Sequence, residues 1–251
     1  MKSNLPPGAL LAALLLWPAN AGAEPGLAAN IYGPSVHRGE SELELRGGLL
    51  NGGAADGAWQ LKAEAAHAFT DWWRPGFVAE WEHEGEATEF TAFAFENVFD
   101  FTPTRDWPVH FGAYVEYEFN ALDGPDKLEL KLLMQRVRGP LALTGNLIGE
   151  RQIGSNASDE WEFGYAAEAA FAVNEDFALG LQGFGDVGTS EDFGALGDHA
   201  HYWGPFAQFE LGHVNEGEVE LQIGYLVGSG EAEADGQFRF KLEYEFGGDA
   251  H

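Results

Sequence analysis

From residue 41 to residue 246, apolar and polar side chains alternate with a period of two, and glycine, proline, asparagine and aspartate break the pattern at intervals. The period predicts β-strands, because successive strand side chains point to opposite faces, whereas every second residue of a helix scatters around the cylinder. "VHFGAYVEYEF" (109–119) places Val109, Phe111, Ala113, Val115, Tyr117 and Phe119 on one face. Twelve such runs are predicted, at 41–50, 59–69, 77–84, 88–99, 109–119, 127–136, 141–151, 160–172, 177–186, 202–211, 218–228 and 238–246. In the last, "FRFKLEYEF", Phe238, Phe240, Leu242, Tyr244 and Phe246 oppose Arg239, Lys241, Glu243 and Glu245.

Alternation alone fits two architectures. A soluble β-sandwich hides its apolar face and wets its charged one; a membrane barrel puts the apolar face in lipid and the polar face in its lumen. Strand length and aromatic placement favour the barrel. Most runs reach about 10 residues or more, against an average of about five or six in soluble sheets, and a tilted membrane strand needs about 9–11. Trp59, Trp72, Trp73, Trp81, Trp107, Trp161 and Trp203 stand near strand ends, as interfacial girdles require. The connectors also sort alternately into a compact, tryptophan-bearing set and an acidic, glycine-rich set, the pattern of short periplasmic turns and longer external loops.

The amino terminus sets the compartment. Lys2, the apolar stretch Ala9 to Trp17 and Ala21-Gly22-Ala23 form a secretory signal peptide over residues 1–23, cut before Glu24. The rest, 24–251, reads as a single barrel domain. Cysteine is absent, which removes disulfides and thiol chemistry, and the net charge of −28 excludes nucleic acid as a partner. The expected fold class is therefore all-β, a transmembrane antiparallel up-and-down barrel of about twelve strands.

With these features the chain resembles Gram-negative outer-membrane β-barrel proteins, and the terminal strand ending in Phe246 resembles the signal read by the barrel-assembly machinery. "GGDAH" after Phe246 departs from that pattern, in which the aromatic stands last. Over roughly the last 80 residues, "YWGPFAQFEL" included, the chain also loosely resembles the outer-membrane transporter family named for the MetA pathway of phenol degradation. The resemblance implies residence in the cell outer membrane, contact with the bilayer and lipopolysaccharide, a monomer, and passage of small solutes.

Taking the polar face of each strand as inward gives the expected lumen. Its candidate selectivity residues are Glu80, Glu82, Glu84, Glu116, Glu118, Glu162, Glu243 and Glu245, with the cations Lys127, Lys131, Arg239 and Lys241; Arg46 and Lys62 are also inward. Run 88–99 has bulky residues on both faces, so its inward side is not assigned. Carboxylates outnumber cations, and charged rings select ions of opposite sign. The expected function is a porin-like channel for small cationic or neutral solutes; the alternative is a non-conducting structural or adhesive barrel whose acidic loops bind divalent ions. Lys127, Glu129 and Lys131 are also candidates for a charge ladder with Arg239, Lys241, Glu243 and Glu245.

An enzyme is not expected. The serines after the signal peptide lie in turns or at strand ends. "GDHAHYW" holds Asp198, His199 and His201; the two histidines with Glu191 or Asp192 offer metal-ligand chemistry but no fixed third ligand. An ordered polar loop is the plainer reading. His67 and His83 read as interfacial. No glycine loop follows a strand and opens a helix, so no cofactor is expected.

Overall fold

The computed structural model of the chain describes residues 26–85, 87–102 and 107–248; the signal peptide lies outside them. Among the described residues the strands are β1 (Glu40–Asn51), β2 (Trp59–His67), β3 (Trp73–Glu84), β4 (Ala87–Asp100), β5 (His110–Asn120), β6 (Asp126–Arg138), β7 (Leu141–Ile153), β8 (Trp161–Asn174), β9 (Phe177–Thr189), β10 (Ala200–Val214), β11 (Gly217–Gly230) and β12 (Gly236–Gly247). Each pairs antiparallel with its sequence neighbours, and β12 returns to β1 to close the barrel. At the seam Leu45 faces Leu242 and Glu44 faces Glu243, so both faces of "FRFKLEYEF" continue across the closure. Closure leaves no sheet edge unpaired, the condition for a sheet to cross a bilayer.

The apolar faces point outward. Leu43, Phe77, Leu147, Leu181 and Trp203 are exposed on the outer wall although their strands lie at the centre of the fold. In water such a belt would be a large liability; in lipid it is the required surface. The tryptophans divide as a girdle pair would. Trp72, Trp73 and Trp107 lie at the end of the barrel where residue 40 enters and residue 247 leaves. Trp59, Trp81, Trp161 and Trp203 lie near the opposite end. His83 stacks on Trp59 with ring centroids 5.5 Å apart, and His67 meets Phe69 edge-on, so both histidines sit on the outer wall near strand ends. The first end carries two-residue turns at 139–140, 175–176 and 215–216, and is the periplasmic end by loop length.

Residues 26–39 are not a connector outside the barrel. They run back through the lumen from the periplasmic end as an internal strap, burying Ala28, Tyr32, Pro34 and Val36. Two apolar clusters hold the strap. Near the periplasmic end Tyr32 and Val36 pack with Ala68, Val98, Tyr114 and Leu133. Nearer the external end Leu27, Ala29 and Ile31 pack against the luminal residues Leu50, Ile148, Phe184, Tyr202 and Leu226. The wall makes room by omitting side chains. A Cβ at Gly48 would collide with the Leu27 carbonyl, and one at Gly112 would stand 2.8 Å from Pro34 Cβ. Over the external mouth the loop 231–235 folds inward: Ala234 is buried, and the Glu233 carbonyl accepts from the amides of Ala54 (2.8 Å) and Ala55 (3.3 Å) in the β1–β2 loop.

Candidate functional site

All twelve charged positions expected in the lumen occupy the inward parity of their strands. The structure pairs most of the cations. Lys62 Nζ lies 2.6 Å from Glu80, Lys131 lies 3.0 Å from Glu129, and Lys127 lies 3.5 Å from Glu150. Lys241 lies 2.8 Å from Glu243 and 3.7 Å from Glu44. The expected ladder between 127–131 and 239–245 does not form: β6 is flanked by β5 and β7, and β12 by β11 and β1, so the two runs stand on different parts of the wall. Glu118 faces Lys127 across β5–β6, Glu162 faces Glu150 across β7–β8, and Glu245 faces Glu218 across β11–β12. Glu82 accepts from Gln60 at 2.8 Å, while Glu84 is exposed beside the external turn.

One half of the lumen, along β1 to β7, is filled. Its hub is Tyr32 on the strap. The Tyr32 hydroxyl lies 2.9 Å from Glu96, 3.3 Å from Glu64 and 3.2 Å from Arg46, and the Tyr32 ring packs on Tyr114 at 4.5 Å between centroids. Tyr114 in turn hydrogen-bonds Glu96 (2.9 Å) and Glu116 (2.6 Å), and Lys131 Nζ sits 4.5 Å from the Tyr114 ring centroid. Arg46 bridges Glu44 and Glu64 and gives its Nε to the Ala28 carbonyl at 2.8 Å. Burial pushes the Tyr32 phenol well above its ordinary range; Arg46 opposes that push, and Glu64 and Glu96 reinforce it. The phenol is thus neutral and able to donate.

The wall holds the strap mainly through its backbone. Gln60 accepts from the Ala28 amide (2.8 Å), and Gln237 donates to the Leu27 carbonyl (3.1 Å). Arg239 donates to the Ala29 carbonyl. Asn146 closes a two-bond ring with Tyr32, accepting from its amide and donating to its carbonyl, both at 2.9 Å.

The other half, along β8 to β12, keeps open space. A polar cavity of about 90 Å³ lies between the strap and this wall, lined by Asn30, Glu168, Gln182, Gln208, Glu220 and Arg239 among others. Gln182 donates to Glu168 (2.7 Å) and Gln222 (2.6 Å), and Gln208 donates to Glu220 (2.8 Å), so a glutamine ladder crosses the wall. Towards the external mouth a second cavity of about 50 Å³ is lined by Leu27, Leu50, Tyr202 and Gln237. Phe184 lines both, so its ring stands between them.

Sequence reading missed Tyr32, Glu96 and the glutamine ladder. A signal existed for the last: Gln182, Gln208 and Gln222 occupy inward parity in three successive strands. The histidine pair serves the loop. His199 Nε2 hydrogen-bonds the Phe193 carbonyl and His201 Nε2 the Leu196 carbonyl, each at 2.7 Å, and His199 Nδ1 lies 3.4 Å from Asp186. A serine–histidine contact does exist across β1 and β2, Ser41 Oγ to His67 Nδ1 at 2.9 Å, but among the described residues no carboxylate lies within ion-pair distance of that imidazole.

A closed twelve-stranded antiparallel barrel with an apolar outer belt and a polar, partly open lumen is the architecture of the bacterial outer-membrane channels and porins. The chain resembles an outer membrane channel of Pseudomonas putida F1 (TM-score 0.59, 13% identity, 84% of this chain and 96% of that one). It also resembles the NanC porin (TM-score 0.55, 12% identity, 81% and 98%) and the KdgM porin (TM-score 0.53, 9% identity, 84% and 99%). No family model matches the sequence, and no curated protein matches it. At these identities the likeness is one of fold.

Proposed function

We propose that the protein is an outer-membrane channel for small polar solutes, net cationic or neutral, and that its lane follows the β8–β12 side of the lumen. The observation that carries this reading is the open polar cavity between the internal strap and that wall, continued outward past Phe184. The shared fold with channels and porins supports it. Luminal carboxylates without a cation partner, with Glu82 and Glu84 near the mouth, favour cations over anions at the external end. The ring of Phe184 and the strap residue Leu27 form an apolar collar of the kind that gates by dewetting.

The filled β1–β7 half favours a second reading, a barrel that does not conduct. Planar-bilayer recording of the refolded mature protein under a salt gradient separates the two. Discrete current steps with cation preference, reduced in a Glu82→Gln/Glu84→Gln double variant, support the channel. A folded but silent barrel refutes it and leaves the structural reading.

A further inference from the structure

Arg239 is 8% exposed and lines the β8–β12 cavity. One nitrogen, Nη2, donates to the Ala29 carbonyl, and the guanidinium carbon sits 4.1 Å from the centroid of the Phe184 ring. The other nitrogen, Nη1, is buried and has no hydrogen-bond partner. Among the described residues no carboxylate lies within ion-pair distance of Arg239, whereas the neighbouring cations Arg46 and Lys241 are matched by Glu44, Glu64 and Glu243. A buried cation whose donor meets nothing is costly, and its persistence calls for an occupant.

The same cavity presents the opposite charge. Glu168 and Glu220 line it and accept only from the neutral amides of Gln182, Gln208 and Gln222, with no cation within ion-pair distance. Unpaired positive and negative groups therefore line one cavity without reaching each other. The strap carbonyl and Phe184 fix the cation, and the glutamine ladder fixes the carboxylates. A guest carrying both charges satisfies both ends at once, and the volume of about 90 Å³ admits a solute of few heavy atoms. Such a guest is also net neutral, so it passes the acidic external end without the repulsion an anion would meet.

We infer that this cavity is a binding site for a small zwitterion, with its carboxylate on Arg239 and its ammonium on Glu168 or Glu220. The inference rests on the channel reading for the route by which the solute arrives.

The test is calorimetric titration of the refolded full barrel with L-alanine, alongside lactate, which lacks the ammonium, and isopropylamine, which lacks the carboxylate. Binding of L-alanine should exceed that of either single-charge analogue by about tenfold or more, the loss expected for one charged hydrogen-bonded contact. Arg239→Gln should weaken L-alanine by a similar factor, Arg239→Lys by less, and Glu168→Gln/Glu220→Gln should remove the preference over lactate. Each variant is first checked as a folded barrel by its heat-dependent gel shift. Equal binding of L-alanine and lactate, or an unchanged affinity in folded Arg239→Gln, overturns the site, as does an absence of heat with L-alanine in a barrel that conducts. Heat with L-alanine in a barrel silent in bilayers upholds the site and overturns the channel reading instead.

Discussion

Asn146 is the place to ask what holds the strap in the lumen. Its side chain makes two hydrogen bonds of 2.9 Å to the backbone of Tyr32, and Asn146 is 1% exposed. Replacement by alanine removes both bonds and leaves a buried amide and carbonyl without those partners. Net hydrogen bonds are worth about 1 kcal/mol each, and a stranded buried group costs about 1–3 kcal/mol, so the docked strap loses about 2–4 kcal/mol, less if water fills the gap. At about 1.4 kcal/mol per tenfold, the undocked population rises about 30-fold at the low end. The barrel wall keeps its ladders, so the change is local. The absence of cysteine gives a clean assay. A single cysteine replacing Ala28, 1% exposed in the docked strap, reacts with a bulky maleimide only when the strap leaves. Comparing labelling rates with and without Asn146→Ala, both in the Ala28→Cys background, cancels the effect of the added sulfur. A rate changed by less than about threefold in a folded barrel would refute the reasoning, because the two bonds would then contribute under about 1 kcal/mol to docking.

Other perturbations bear on the same arrangement. Gly48→Ala removes no hydrogen bond but drives a methyl group into the Leu27 carbonyl, and should raise Ala28→Cys labelling as Asn146→Ala does. Phe184→Ala deletes the ring between the two cavities at a local cost of about 3–5 kcal/mol; single-channel steps should grow, and unchanged steps would place the constriction elsewhere. Arg46→Met leaves Glu64 buried without its cation and Glu44 with only Lys241 at 3.7 Å, a loss of about 3–5 kcal/mol, and should lower the temperature at which the folded gel band converts. The raised Tyr32 phenol stabilises the docked strap fully below the ordinary tyrosine value of about 10 and progressively less as pH climbs through the higher docked value. Alkaline absorbance titration should therefore count one late-ionising tyrosine fewer in Tyr32→Phe than in the parent barrel.

The sequence made the barrel legible because lipid outside and polar lumen inside impose a strict parity on every strand. The same parity puts the twelve charged positions on the side of their strands opposite the exposed apolar residues. Run 88–99 resisted for a reason visible in its pairing. Glu80 faces Ala92 while Trp81 faces Phe90, a bulge that shifts the register by one. Phe90 on one side of the bulge and Phe93 and Phe95 on the other are all exposed on the outer wall although their numbers differ in parity. The run thus appeared bulky on both faces, and Glu96, wholly buried in the lumen, was hidden with it. The strap was illegible for a different reason. "GLAANIYGPSVHRG" has no period, and much of what fixes it is main-chain hydrogen bonding, which leaves no mark in side-chain pattern.

That mode of capture has a consequence for divergence. Gln60, Arg46, Gln237, Arg239 and Asn146 all read amides and carbonyls of residues 27 to 32, atoms that almost every amino acid supplies. Homologous chains are then free to vary the letters of this segment widely, Tyr32 and the tightest contacts excepted. Insertions and deletions there are a different matter, since one residue of slippage moves every carbonyl off its donor. The strap's length should drift far less than its composition, and the five wall side chains should drift least of all.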